Sequence, residues 1–384
     1  MALADSQKIS RVLTGKPFGD GKDGAYSSAT IPTMTVEGCS GSAAGTTLTA
    51  DGTTISDGDV VLIHQSRGTG AGQWEINKVA SGGGSVNLVM KENLVYTYIN
   101  SGASQAQITK IPQYTTVTVQ AGTWNVSSWN GDQGGILVFA ANEATTVTGT
   151  INGAGGNGSA GTPSGAGGTG AGFRGGQGMN SAISYSGEGT LGAQRQNTAA
   201  NGNGGGSAPN SGDQQKGGAG GNAAAGGAGD GAGGAAAGNA TLTNMVFGGG
   251  GAGSKKPSVN TTGGGGCGGG IIAIFTKDIT VTGSITTKGG NGGVDSHGGA
   301  GGAAGGSTLI ECETATLGTA KITSAAGIGG TGDNGAGPTG SVGRIAVHHS
   351  GDITGTTSPT FSDTTDDSLV ESTAGGAFLL SQFV

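Results

Sequence analysis

The chain contains 384 residues, of which 89 are glycine, roughly three times the usual share of about 7%. Only 33% of the residues are hydrophobic and 4% are aromatic. This is too little to fill a conventional core along the whole length, so backbone hydrogen bonds must stabilise part of the fold. The net charge is -7, and apart from Lys255–Lys256 the basic residues are scattered singly, which argues against binding to a nucleic-acid backbone.

The sequence lacks the segments that place a chain in or across a membrane. No stretch approaches the roughly 20 apolar residues that span a bilayer, and the first residues show no basic region followed by an apolar one. We therefore expect no membrane insertion and no export signal of the usual kind. The three cysteines, Cys39, Cys267 and Cys312, are far apart; we predict buried thiols, with a Cys267–Cys312 disulfide as the alternative.

The N-terminal third of the chain divides into two parts. Residues 1–34 are polar and rich in turn residues, which predicts an extended N-terminal arm. Residues 35–152 contain short β-branched runs separated by Gly, Asn, Asp and Ser, which predicts a β domain. The predicted strands cover 59–64, 73–79, 85–89, 107–111 and 115–119. No window of comparable length carries a helical apolar period, so we expect essentially no α-helix.

Residues 153–268 form a glycine-rich region in which Ala, Asn and Ser fill most of the remaining positions. Such a composition is also typical of a disordered linker. A strict Gly-X-Y period is missing, which excludes collagen. The alternative that we favour is a bundle of polyglycine-II helices, which have three residues per turn and no internal hydrogen bonds, so every buried N–H must find a neighbouring segment.

A repeated module flanks this region. Residues 134–158, with Gly134-Gly-Ile136 and Thr146-Val-Thr-Gly149, reappear as residues 269–292; a third copy covers 305–330 and a truncated fourth covers 343–355. Each copy is a buried strand, a link, a second strand and a glycine-rich excursion. Such repetition predicts an all-β fold, a β-sandwich or stacked β scaffold on residues 269–355, with the glycine segments emerging together. Residues 356–384 are a C-terminal segment with an apolar end.

Few residues offer catalytic or metal-binding chemistry. The four histidines, His64, His297, His348 and His349, are too dispersed for a metal cage. The Asp-rich turns at 20–23, 57–59 and 363–367 offer carboxylates to Ca²⁺, but none has the spacing of a calcium loop, and Asp-Gly is first of all turn chemistry. No catalytic motif has a suitable structural context, so we predict that the protein is not an enzyme and needs no cofactor.

The aromatic residues are the candidates for recognition. In the β domain they either pack in the core or stack on a sugar or another flat ligand. In the glycine-rich region they either pin the bundle or lie exposed at loop tips. The candidates are Trp74, Trp124, Trp129, Phe173, Tyr185 and Phe247.

Two resemblances extend this interpretation. The stretches 62–78, 113–119 and 129–136, together with the Thr-Val-Thr-Gly modules, resemble uncharacterised glycine-rich surface or virion proteins of uncultivated bacteria and their phages. That resemblance covers nearly the whole chain and carries no catalytic residues. The glycine-rich region is similar in architecture to the tail-fibre tip adhesins of T-even-like phages, in which bundled polyglycine helices display loops that recognise a host receptor. This chain departs from them by its large β domain in front.

The sequence leaves two functions open. One is a phage tail-fibre adhesin that recognises a cell-surface glycan or protein receptor through loops. The other is a self-associating subunit of an extracellular filament or sheath, joined by exchange of terminal strands. The apolar C-terminus favours subunit contact, because a free terminus should not leave so much apolar surface in water. The predicted contact residues are Phe378, Leu379, Leu380, Phe383 and Val384.

Overall fold

The computed structural model describes residues 3–161, 164–180, 182–210, 215–256, 261–294, 298–333 and 335–370. The fold is essentially all-β, with 35% strand and 2% helix, which confirms the predicted class. The helical residues are a 3-10 turn at Asp5–Gln7 and one α-helical turn, α1, at Ile9–Val12.

Six strands near the N-terminus close into an antiparallel barrel. The first seven strands are β1 Tyr26–Ser28, β2 Val36–Gly41, β3 Thr47–Ala50, β4 Val60–Arg67, β5 Trp74–Ser81, β6 Asn87–Met90 and β7 Gln105–Lys110. The barrel has the order β2-β3-β6-β5-β4-β7. On β4, Val61 and Ile63 pack inside the barrel, whereas Leu62 belongs to the core outside it. This alternation follows from the two-residue period of a strand.

The remaining main strands form a second, parallel sheet that curves into a half-barrel. β1 belongs to this sheet through its parallel pairing with β9. The other eleven strands are β8 Gln113–Tyr114, β9 Val117–Val119, β10 Thr123–Asn125, β11 Ile136–Val147, β12 Thr150–Asn152, β15 Ile271–Val281, β16 Ser284–Thr286, β17 Ser307–Thr323, β18 Arg344–His349, β19 Ile353–Ser358 and β20 Ser362–Thr365. Two short strands, β13 Ala160–Gly161 and β14 Thr262–Gly263, pair with each other in the glycine-rich region. Because the barrel ends at β7, the predicted β domain of 35–152 divides between two sheets.

The predicted modules lie side by side in register. Ile136 of β11 pairs with Ile271 of β15. In the same register, β15 pairs with β17, and β17 pairs with β18. The second strands pair equally, β12 with β16 and β16 with β17. An irregularity between Ala141 and Ala144 adds one residue to β11 relative to β15. A bulge of this kind absorbs an extra residue without disturbing the pairing on either side.

The parallel sheet has a core on each face. One core lies inside the half-barrel and includes Phe139, Ile274 and Ile310. The other lies between the sheet and the closed barrel, and Ile9 of the predicted N-terminal arm is fully buried in it. Phe18 is fully buried as well. The described part of residues 1–34 therefore packs against the body of the protein.

The described glycine-rich segments are extended and hydrogen-bonded to one another. They leave the sheet after β12, β16 and β17 and re-enter it at β15, β17 and β18. Backbone bonds such as Gly205 N–H to the Gly250 carbonyl, at 2.9 Å, join segments within the region. Others, such as Gly290 N–H to the Cys267 carbonyl at 2.8 Å, join it to the excursions of later modules. The glycine-rich excursions of different modules therefore pack as one layered body.

Candidate functional site

The candidate recognition surface lies where the glycine-rich segments end, away from the parallel sheet. We call this the distal end and define it by β13, β14, Met179, Gln215 and Lys255. At this end β13 pairs antiparallel with β14, and Lys255 forms bridges with both Met179 and Gln215. These pairings bring together described segments that are up to about a hundred residues apart in sequence, as β13 and β14 are.

The described residues at and around the distal end include amide and hydroxyl side chains as well as the charged Lys255. The Gln177 amide donates to the Ser164 hydroxyl at 3.0 Å, and the Gln196 amide donates to the Ile183 carbonyl at 2.8 Å. Nearby, the Lys216 backbone N–H donates to the Asp230 carboxylate at 2.7 Å. Amides and hydroxyls donate and accept hydrogen bonds without carrying charge, so these side chains suit neutral polar groups such as sugar hydroxyls.

Tyr185 is the predicted recognition residue that lies partly exposed beside the distal end. Its backbone N–H donates to the Gln177 carbonyl at 2.9 Å, and its own carbonyl accepts from Gly253 at 3.0 Å. The extended backbone is thus held on two sides while the ring is only half-buried. A tyrosine whose backbone is held in this way can stack on a ligand with little loss of backbone entropy.

The structure places the other five predicted recognition rings in the core rather than on a surface. Trp129 packs against Phe173 and Phe247, with ring centroids 6.2 and 5.2 Å apart. The Trp74 indole donates to the Leu242 carbonyl at 2.9 Å, and the Trp124 indole donates to the Ser28 carbonyl at 3.2 Å. These five rings are at most 1% exposed, because they pack among the apolar side chains of the two cores of the parallel sheet.

A buried carboxylate joins the barrel to the glycine-rich region. Glu188 is fully buried and forms ion pairs with Arg67 of β4 and, at 2.9 Å, with Nε of Arg174. The same carboxylate accepts from the Trp129 indole at 3.1 Å. The sequence reasoning missed this site, although Glu188 stands out as one of very few acidic residues between 153 and 268. Its contacts fix the orientation of the glycine-rich region on the barrel.

A small cavity opens on the flank of the glycine-rich segments. Its volume is about 280 Å³, and its side chains are Thr169, Arg174, Gln177 and Gln194, with glycine backbone between them. Gln177 connects this cavity to the distal end through its bond to Ser164. The polar lining again suits a ligand that offers hydroxyl or carbonyl groups.

The histidines were expected to be too dispersed for a metal cage, and His297 lies outside the described residues. His64 is fully buried: Nε2 bonds the Met245 carbonyl at 2.7 Å and Nδ1 lies 2.9 Å from the Ser66 hydroxyl. Burial lowers the pKa of His64 to about 4. His348 is buried on β18, and the imidazole of His349 bonds Asp363 at 2.7 Å.

The Asp-rich turns hold their carboxylates in protein contacts. Asp59 forms an ion pair with Lys110 at 2.9 Å, Asp23 accepts from the Gln113 N–H at 2.7 Å, and Asp366 pairs with Lys8 at 2.6 Å. Within the described ranges, no three His, Cys, Asp or Glu side chains are grouped so that they could hold a metal ion.

The cysteines carry no disulfide, and the C-terminal candidates cannot be placed. Cys39, Cys267 and Cys312 are buried free thiols, so the alternative Cys267–Cys312 bridge is absent. Burial raises the pKa of Cys267 to about 12, which keeps that thiol protonated and unreactive. The predicted contact residues between 378 and 384 lie outside the described residues.

Comparison with protein-family models, with curated proteins and with solved structures gave no match. In the part of the chain that the structure describes, no helix is long and apolar enough to cross a membrane.

Proposed function

We propose that the chain is a non-enzymatic adhesive protein of a virion or extracellular fibre, in the manner of a phage tail-fibre adhesin. In this proposal the glycine-rich region is a rigid polyglycine-II bundle, and the distal end recognises a cell-surface receptor. The parallel sheet holds the proximal ends of the segments, and the barrel with the N-terminal residues faces the fibre.

One hydrogen-bond pattern carries this proposal. The four consecutive N–H groups of residues 218–221 donate to carbonyls of three different segments. The first and the fourth N–H groups donate to two carbonyls of the same segment. The bonds run from Gly218 to Gly206 at 2.9 Å, from Ala219 to Gly227 at 2.9 Å, from Gly220 to Gly302 at 3.0 Å and from Gly221 to Asn203 at 2.8 Å. A β-strand would alternate between two directions, whereas a three-residue period supports a polyglycine-II helix.

Such a bundle suits the display of a binding surface. Its segments are cross-linked by backbone bonds in several directions, so the described residues of the distal end are held by a stiff body and lose little entropy when a receptor binds. The distal end offers neutral amides, hydroxyls and the half-exposed ring of Tyr185. Amides, hydroxyls and an aromatic ring are groups that bind a glycan of the cell surface, and the resemblance of the glycine-rich region to T-even-like tip adhesins supports the same function.

The test compares two tyrosines in the same protein. Fluorescently labelled wild type, Tyr185→Ala and Tyr96→Ala are incubated with a panel of intact bacteria and with immobilised bacterial surface polysaccharides. Tyr96 is a partly buried tyrosine of the barrel region and is the matched control. We expect wild type to bind at least one surface, Tyr185→Ala to bind it about tenfold more weakly, and Tyr96→Ala to bind it like wild type. Equal binding by all three proteins would contradict a recognition role for the distal end.

A filament or sheath subunit is the second candidate. Among the described residues, β20 pairs only with β18, so its other edge is free to add a strand from a second copy. The apolar stretch 378–384 is the predicted donor. Electron microscopy and size-exclusion chromatography would compare the full chain with a chain that lacks residues 376–384. Long fibres from the full chain alone would favour this function, and identical assembly by both would remove the C-terminus as a subunit contact.

A further inference from the structure

A second cavity lies far from the distal end, where the last module meets the glycine-rich region. Its volume is about 350 Å³, which is at the lower end of the range for small-ligand sites. The first residues of β18 and β20 form one wall, and Ala223 and Ala240 of the glycine-rich region form the opposite wall. The cavity is therefore bounded by two parts of the chain that the fold holds at fixed positions.

The polar atoms in this cavity are hydrogen-bond donors without an acid. The lining contains Arg344, Thr360 and Ser362 but no Asp or Glu. Arg344 donates from Nε to the Ala237 carbonyl and from Nη2 to the Asn222 carbonyl, both at 3.2 Å. It forms no ion pair with a described carboxylate. Since a guanidinium has five N–H donors, Nη1 is left for a further acceptor.

The electrostatics of Arg344 agree with the lack of a described carboxylate partner. The side chain is half-buried, and this burial lowers the pKa of Arg344. Taking a guanidinium partly out of water without a carboxylate costs free energy that an anionic ligand would recover.

The rest of the lining is apolar. Val342, Ile345 and Phe361 face the cavity together with Pro359 and the two alanines. Phe361 is only half-buried, and Val342 is 41% exposed, so a ligand would cover apolar surface that now meets water. A bare inorganic anion would leave this surface exposed, whereas an acid with a short hydrocarbon or aromatic body would cover it.

We propose that this cavity binds a small amphipathic carboxylate, with the carboxylate on Arg344 and the hydroxyls of Thr360 and Ser362 and the apolar body against Phe361, Val342 and Ile345. The site is separate from the distal end, so it is a binding activity in addition to the proposed recognition of a receptor.

Isothermal titration of the full chain tests the proposal with three probes. They are 4-phenylbutyrate, its neutral analogue 4-phenylbutyramide, and inorganic phosphate. We expect saturable binding of the carboxylate, binding of the amide that is at least about tenfold weaker, because the charge-assisted hydrogen bond is lost, and no competition by phosphate. Equal binding of acid and amide, equal binding of phosphate, or no saturable heat with the acid would each overturn the assignment.

Two variants locate the binding. Arg344→Gln removes the charge, and Arg195→Gln is the control because that arginine lies outside the cavity and donates to the Ala200 carbonyl at 3.3 Å. We expect Arg344→Gln to lose binding of the acid by at least about tenfold and Arg195→Gln to retain it. Retained binding in a folded Arg344→Gln protein would overturn the site. If that variant does not fold, the comparison of acid and amide on wild type still decides the question.

Discussion

Replacing Gly220 by alanine should damage the centre of the glycine-rich region. The added Cβ would overlap the carbonyl oxygen of Gly249 and lie 2.6 Å from its carbonyl carbon, so the two backbones must separate. Gly220 itself donates to Gly302 at 3.0 Å, and Ala304 donates to the same Gly249 carbonyl at 2.9 Å. The loss of two buried hydrogen bonds, together with strain, gives an expected loss of about 3 kcal/mol in the free energy of unfolding.

The matched control is Gly192→Ala. A Cβ at Gly192 would meet its nearest atoms at 3.8 Å and 3.9 Å, so the change should lie within about 0.5 kcal/mol of wild type or stabilise slightly. Urea unfolding followed by circular dichroism and by tryptophan fluorescence measures both variants. If Gly220→Ala unfolds at the same urea concentration as Gly192→Ala, the inference that the segments are closely packed fails.

Two further changes test buried carboxylates. Burial raises the pKa of Glu311 from 4.5 to about 8, so the folded state retains a proton that the unfolded state releases near pH 4.5. The stability that this proton contributes is fully present below pH 4.5 and is lost as the pH rises through about 8. In wild type, the free energy of unfolding should therefore fall by about 1.4 kcal/mol per pH unit between these two pH values, and Glu311→Gln should remove this decline. Urea unfolding at pH 5 and pH 8 measures it, with the exposed Glu143→Gln as the control. A pH slope equal to that of wild type in Glu311→Gln would contradict the reasoning. Glu188→Gln leaves Arg67 and Arg174 without their carboxylate and should destabilise by about 3 kcal/mol; a thermal midpoint equal to that of wild type would refute a structural role for this contact.

The repeated modules predicted a β-sandwich or stacked β scaffold, and the structure shows instead a parallel half-barrel in which the modules lie side by side. The spacing between copies one and two is 135 residues at Ile136 and Ile271 but 134 at Val147 and Val281, and the structure pairs both sets. A direct comparison of the two copies thus gives the register, and the extra residue marks the irregularity after Ala141. Parallel stacking follows because identical modules present the same edge to one another.

The closed barrel could not be predicted in the same way. Its strand order, in which β2 pairs with both β3 and β7, depends on contacts between strands that carry no repeated pattern. The aromatic residues were misjudged for a related reason. Phe173 and Phe247 stand alone among glycines in the sequence, but their rings lie 5.3 Å apart in the fold, because the segments that carry them run side by side.

Of the candidate site, the sequence indicated the glycine-rich scaffold and Tyr185 but not the distal end as a surface. That surface forms because segments that are distant in sequence, such as those at Met179 and Lys255, pair in the fold. The role of Glu188 could not be predicted either, because the two arginines that form ion pairs with it come from different parts of the chain. Pairing between remote segments is decided by the whole fold and not by local pattern.

Hydrogen exchange across residues 216–240 of the native protein tests the central claim most directly, namely that the glycine-rich region is an ordered, hydrogen-bonded scaffold. Bonds such as Gly218 to Gly206 and Gly234 to Ala219 predict that these amides exchange at least about a hundredfold more slowly than in a free peptide of the same sequence. Mass spectrometry of peptides from this stretch, with the free peptide as the reference, gives the comparison. Exchange as fast as in the free peptide would contradict the scaffold and would favour a flexible linker.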